Sequence, residues 1–127
     1  MILGIGVDIV DINRIKEKID SDSGFKDYVF SVNEINACDK KSNRYESYAA
    51  RFAAKEAFLK AIGTGIDFRF ELHQLEVHNN ESGKPYFILS SIIEEQLSAL
   101  PGGMPEIHLS MSHSSQQAIA FVVFNKK

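Results

Sequence analysis

Cysteine is almost absent: Cys38 is the one thiol in 127 residues. With no second cysteine, no disulfide can form within the chain, and a reducing, cytoplasmic setting is the expectation. Long hydrophobic runs are missing too. No stretch approaches the roughly 20 apolar residues of a membrane span, and Met1 to Val10 lacks the basic start and small-residue cleavage site of a secretory signal. Neither a membrane protein nor an exported one is expected. Repeats, low-complexity tracts and Pro/Gly/Ser-rich linkers are likewise lacking, so residues 1–127 read as one domain. A chain of this length buries roughly two-thirds of its unfolded surface, enough for a core without staples. Nor is there an excess of positive charge. The 14 basic and 17 acidic side chains leave a net charge of −3, which argues against nucleic-acid binding through bulk charge. Several catalytic signatures are also missing: a Ser-His-Asp arrangement, a nucleophile elbow and a phosphate-binding P-loop. The run Gly4-Ile5-Gly6 lacks the third glycine and the helix start of a dinucleotide fingerprint.

What is present alternates between two periods. Ile2 to Val10 is a nearly continuous apolar run interrupted by Gly4 and Gly6, which predicts a buried strand carrying one anomaly, Asp8. From Asp11, placed to cap a helix, the period turns helical: Ile12, Ile15 and Ile19 form one stripe, and Arg14 and Lys18 share another face. Ser31 and Glu34 form a capping-box pattern for a second short helix over Phe30 to Cys38. Asp20 to Lys26 and Asp39 to Asn43 are polar enough to be loops. The longest helix is predicted from about Asn43 to Ile62, alanine-rich, stopped by Gly63 and reinforced by Gly65. Leu75 to His78 and Pro85 to Leu89 alternate around turn residues as a hairpin. Ser91 and Glu94 repeat the capping box before a helix over Ile92 to Leu100, and two strands follow, around Ile107 to Ser112 and Ala118 to Phe124. Helices early and hairpin-like strands late predict an α+β domain, a mainly antiparallel sheet packed against a long central helix.

Two carboxylates stand out. An ionised Asp8 in an apolar strand costs several kcal/mol to desolvate unless it is paired, metal-bound or near solvent, and Asp11 already serves as the helix cap. Glu56 falls on the helix face that carries Tyr45, Tyr48, Ala49, Phe52 and Leu59. Its bland reading, an i,i+4 pair with Lys60, leaves those apolar neighbours unexplained. Two carboxylates from different elements, without a Cys or His pair at ligand spacing, suit a hard cation such as Mg²⁺, whose open positions water and substrate phosphates fill. Lys60, one turn beyond Glu56, brings a point charge to that region. Arg51, Lys55 and Lys60 fall on different sides of the helix, so at least one of them only solvates or pairs at the surface. The Ser82-Gly83-Lys84-Pro85 turn offers amides and a cation, more often an ordinary hairpin connection than a phosphate site. Ser112 and His113 end a strand, where a histidine can contact a nucleotide or donate a proton. Cys38 has no activating surroundings in sequence and reads as structural.

Four segments then resemble one family. GIGVDIVDINRI (Gly4 to Ile15), RFAAKEAFLKAIGTG (Arg51 to Gly65), SGKP (Ser82 to Pro85) and SMSHS (Ser110 to Ser114) are similar, in order and spacing, to holo-[acyl-carrier-protein] synthases, the small class of 4′-phosphopantetheinyl transferases. The resemblance covers essentially the whole chain. It implies transfer of phosphopantetheine from coenzyme A to a serine of apo acyl carrier protein, with release of adenosine 3′,5′-bisphosphate, in support of fatty acid biosynthesis. Asp8 and Glu56 would bind Mg²⁺ at the pyrophosphate, and Lys60 would neutralise charge on the leaving phosphate. Arg51, Gly83, Lys84, Pro85, Ser112 and His113 would lie along the coenzyme A site. A homotrimer with active sites at subunit interfaces is also implied, as is carrier docking at Arg14. Lys18 is added here from the shared helix face, and Lys16, Lys40, Lys41 and Arg44 extend the candidate basic surface. The base for the serine stays open between Glu56, through a water on the metal, and Asp8. A binding module without transfer and a Mg²⁺-dependent nucleotide hydrolase are the competing classes; only the hydrolase would make free phosphopantetheine without carrier protein.

Overall fold

The structure, a computed structural model, describes residues 1–63 and 67–127; the expected role of Gly65 lies outside them. The chain opens with strand β1 (Ile2–Asp11), then α1 (Ile12–Asp20), α2 (Phe25–Val29), α3 (Val32–Asp39) and the long α4 (Arg44–Ile62). After a 3₁₀ turn at Leu72–Gln74 come β2 (Leu75–Asn79), β3 (Pro85–Leu89), α5 (Ser91–Ser98), β4 (Glu106–His113) and β5 (Gln117–Asn125). The α+β class is as expected. Strands β1, β5 and β4, in that order, make one antiparallel sheet, and β2 and β3 make a separate antiparallel pair.

Local chemistry sets most of the boundaries. Asp11 accepts the Asn13 N–H at 3.0 Å and starts α1. The Ser31/Glu34 capping box forms in full at α3. Gly63 ends α4 with φ at +89°, a conformation open to glycine. Three expectations are corrected. The second capping box does not form: Ser90, not Ser91, is the N-cap of α5, and its side chain makes no capping hydrogen bond. Adjacent serines left the start ambiguous by one residue. The polar Asp20 to Lys26 stretch is not all loop, since Phe25 and Lys26 open α2, with Phe25 packed on Phe52 and Phe30. Finally, β1 is not a buried strand. Gly4, Gly6, Asp8 and Val10 face α4, whereas Ile5, Val7 and Ile9 point outward and are 59 %, 48 % and 57 % exposed. Ile119 and Phe121 of β5 continue that exposed apolar face.

The core has two lobes along α4. Phe58 in the C-terminal half meets Phe68, Phe70, Phe87 and Phe124 near ring edges, over Leu75, Val77, Ile93, Leu97 and Val122. The N-terminal half packs Tyr48 and Ala49 against Ile12, Ile15, Val29, Phe30 and Cys38. Cys38 is buried beside the Ser47 hydroxyl at 3.3 Å, and burial pushes its thiol pKa up, in keeping with a structural role.

Candidate active site

The site begins with two missing side chains. A Cβ on Gly4 would overlap the carbonyl oxygen of Ala61, and one on Gly6 that of Ala57. Only glycine at these two strand positions lets β1 lie this close to the backbone of α4. The next residue on the same face of β1 is Asp8, where the contact opens at the sheet edge. There the Lys60 ammonium donates to Asp8 Oδ1 at 3.1 Å and to the Val7 carbonyl at 3.0 Å. The Asp8 side chain is 16 % exposed and that of Lys60 55 %. Glu56 completes the group from one turn earlier on α4. Burial raises its pKa, the Asp8 carboxylate raises it further, and Lys60 partly opposes both. The i,i+4 pair does not form, because Lys60 binds Asp8 instead. Two carboxylates, one of them paired with the Lys60 ammonium, thus form a donor set that fits a small hard cation. Among the described residues no group of three or more His, Cys, Asp or Glu could hold a metal, so most coordination positions would fall to water or to substrate oxygens.

A second group forms on the other side of α4. A cavity of about 180 Å³ is lined by Lys41, Ser47, Arg51, Asn79, Ser112 and His113, among others. Arg51 is nearly buried; its guanidinium donates to the Val77 carbonyl at 3.2 Å, to Asn79 Oδ1 at 3.4 Å and to the Ser47 hydroxyl. Asn79 in turn donates to the Gly83 carbonyl at 3.0 Å, which ties the Ser82–Pro85 turn to the mouth of this cavity. Gly83 has φ at +87°, the conformation that closes the hairpin.

The expected residues therefore assemble as two clusters. Five residues along a helix turn a side chain by about 140°, so Arg51 and Glu56 leave α4 in different directions. Asp8 on β1 and His113 on β4 lie on the same face of the sheet but on opposite edge strands, about 10 Å apart across β5 by strand spacing alone. The body of α4 lies over β1 and β5 between them. Asn79 and Lys41 also line this cavity, where the sequence did not place them: Asn79 reads as a turn residue and Lys41 as part of the candidate basic surface.

The basic side chains of this region take several partners. Arg14 and Lys18 line one groove with Ile9, Val10 and Phe52. Lys16 lies over the Tyr45 ring, Arg44 donates to the Tyr45 hydroxyl, and Lys41 belongs to the Arg51 cavity. Lys16 and Arg44 thus meet at the Tyr45 ring, whereas Arg14 and Lys18 line a different groove. Lys55 departs furthest from a surface reading, since its side chain is fully buried.

The family model for the 4′-phosphopantetheinyl transferase superfamily matches residues 4–122. A holo-[acyl-carrier-protein] synthase of Cytophaga hutchinsonii is 59 % identical over 126 residues, 99 % of each chain. The crystal structure of a holo-(acyl-carrier-protein) synthase from Bacillus anthracis, in complex with CoA (3′,5′-ADP), is 39 % identical, with a TM-score of 0.80 over 100 % of this chain and 99 % of that one. The crystal structure of the Neisseria meningitidis holo-[acyl-carrier-protein] synthase is 33 % identical, with a TM-score of 0.86 over 99 % and 100 %.

Proposed function

The chain belongs to the 4′-phosphopantetheinyl transferase superfamily and is an enzyme of that kind, and on this premise we propose that it transfers phosphopantetheine from coenzyme A to a serine of apo acyl carrier protein in a Mg²⁺-dependent reaction. The observation that carries this reading is the convergence of Asp8, Glu56 and Lys60 where the Gly4–Gly6 contact with α4 ends. In the reaction, the serine oxygen bonds to the β-phosphorus of coenzyme A as the bond from that phosphorus to the bridging oxygen breaks. The bridging electron pair leaves with adenosine 3′,5′-bisphosphate, and the serine proton passes to a base.

Asp8 and Glu56 hold Mg²⁺ in this reading, and the ion, when bound, supplies charge neutralisation at the pyrophosphate. Lys60 sits on a mobile-length side chain at the rim and stabilises the phosphate that departs. The serine proton passes to Asp8 or, through a water, to Glu56. Arg51, Ser112 and His113, with Gly83, Lys84 and Pro85 at the adjoining turn, receive the nucleotide part of coenzyme A. Lys41 and Asn79 join them as cavity residues.

The separation of the two clusters by α4 supports a further element: coenzyme A bridges two copies of the chain in a homotrimer, with the metal cluster of one copy and the Arg51 cavity of another. The exposed face of Ile5, Val7, Ile9, Ile119 and Phe121 is the apolar surface such an assembly would cover. Arg14 and Lys18 line the groove that receives the acidic carrier protein. Residues 1–127 act as one transferase domain, in the cytoplasm, supplying holo carrier protein for fatty acid synthesis. No helix among the described residues is long and apolar enough to cross a membrane.

The test is intact-mass spectrometry of an apo acyl carrier protein incubated with coenzyme A and Mg²⁺. A phosphopantetheine mass increment that disappears with chelator and with Glu56→Ala is expected. Free phosphopantetheine without carrier modification would instead make the protein a hydrolase. Coenzyme A binding with neither product would make it a binding module.

A further inference from the structure

Lys55 and Glu34 form a buried ion pair that the transfer chemistry does not use. Both side chains are fully buried. The Lys55 ammonium donates to Glu34 Oε1 at 2.6 Å, to the Val29 carbonyl at 2.7 Å and to the Leu72 carbonyl at 3.0 Å. All three of its donors are therefore placed. Glu34 Oε1 also accepts the Ser31 N–H at 3.0 Å, and Oε2 accepts the Val77 N–H at 2.9 Å. Burying such a pair gives little net stability compared with apolar side chains of the same volume. Its value lies elsewhere, in what the pair holds.

What it holds is strand β2. The β2–β3 pair shares no backbone hydrogen bonds with the main sheet, so its placement depends on side chains. Val77, in the middle of β2, is gripped at both polar groups: its N–H by Glu34 of α3 and its carbonyl by Arg51 of α4. Two residues on, Asn79 accepts from Arg51 and donates to the Gly83 carbonyl. A continuous chain of hydrogen bonds thus runs from Lys55 through Glu34, Val77, Arg51 and Asn79 to the Ser82–Pro85 turn. Meanwhile Glu56, the neighbour of Lys55, leaves α4 about 100° further round, near Asp8. The helix that presents the metal cluster therefore also fixes the hairpin that borders the Arg51 cavity.

We propose that Lys55 and Glu34 are positioning residues for coenzyme A: their buried pair sets the place of β2 and its turn against α4, and so preorganises the Arg51 cavity before the nucleotide arrives. The inference rests on the coenzyme A reading of that cavity. Loosening the pair lets Arg51 and the turn drift, which weakens nucleotide binding and leaves Asp8, Glu56 and Lys60 in place.

The test compares the unmutated protein with the Glu34→Leu, Lys55→Met double variant, which keeps the core volume and leaves no unpaired charge. Calorimetry with coenzyme A and steady-state transfer to carrier protein are read together, below the melting temperature of both proteins. A rise of about tenfold in Kd and in KM for coenzyme A, with kcat at saturating coenzyme A within about threefold, is expected. A double variant that melts earlier but binds coenzyme A as tightly as the unmutated protein overturns the positioning role, as does a loss confined to kcat. An unmutated protein that binds coenzyme A without transferring anything defeats the transferase reading while leaving the binding comparison valid. One that does not bind coenzyme A defeats both. Hydrogen exchange on the unmutated protein decides the matter even if the double variant does not fold. The Val77 amide should already exchange slowly without ligand; free exchange that slows only on adding coenzyme A would show that the ligand, not the ion pair, places the hairpin.

Discussion

Gly6 of β1 lies against the Ala57 carbonyl of α4 so closely that a single methyl group on Gly6 would overlap the oxygen. The contact sets the height at which α4 passes over the strand, and with it the separation between Asp8 and the side chains of Glu56 and Lys60. Gly6→Ala should therefore lower stability by about 1–3 kcal/mol through overpacking against backbone that cannot rotate away. Because the displaced element carries the site, transfer activity measured well below the melting temperature should fall as well. A variant with unchanged melting temperature by differential scanning calorimetry would show that the helix shifts without cost.

The ammonium of Lys60 is the one cation hydrogen-bonded to Asp8 among the described residues. Lys60→Met keeps an unbranched side chain one atom shorter and removes the charge, so substrate should still bind while charge on the departing phosphate goes unanswered. The expected result is a drop in kcat of about 10²–10³, with KM for coenzyme A changing by less. A kcat within a factor of about two of the unmutated enzyme would restrict Lys60 to pairing with Asp8.

How far the site was legible in the sequence follows from where each polar residue interrupts a pattern. Asp8 and Glu56 stood out because each breaks an apolar face, and Lys60 because it lies one turn from Glu56. Lys55 did not stand out. On an alanine-rich helix a lysine reads as solvent-facing, and its acceptors at Val29, Glu34 and Leu72 lie 26, 21 and 17 residues away. Arg51 was expected near substrate, yet its nearly complete burial depends on the Val77 carbonyl, which only the tertiary fold brings to it. The outward face of β1 was misread for a related reason. A run without polar alternation signals burial on both sides, and the single chain covers one side only.

Asp39 gives the fold a measurable response to acid. Burial pushes its carboxyl pKa up, but hydrogen bonds from Tyr48 at 2.7 Å and Lys26 at 3.2 Å, with the charges of Lys26 and Arg44, outweigh burial and hold it below its ordinary value of 3.8. A carboxylate whose pKa is lower in the folded protein binds protons more readily when unfolded, so its stabilising contribution is present above pH 3.8 and is lost as pH falls through the folded value. Asp39→Asn should accordingly be less stable than the unmutated protein near neutrality, with the gap narrowing below about pH 4. Urea titrations at several pH values read this directly; a gap that stays constant down to pH 2 would remove Asp39 from the acid response.

Arg14 and Lys18 project from one face of α1 into the groove beside Ile9, Val10 and Phe52, next to the strand that carries Asp8. The chain as a whole carries a net charge of −3, so an acidic carrier protein is attracted only where positive charge is local. Encounter governed by so few charges should respond to salt over the Debye length, about 10 Å at 0.1 M, and should act on the association rate more than on the chemical step. Arg14→Glu is therefore expected to raise KM for the carrier protein severalfold at low salt, with KM for coenzyme A unchanged, and the difference from the unmutated enzyme should shrink as salt is added. Should the penalty persist undiminished at 1 M salt, Arg14 would act by shape or a desolvated contact rather than by steering, and the groove, with its apolar floor of Ile9 and Phe52, would be the seat of that contact.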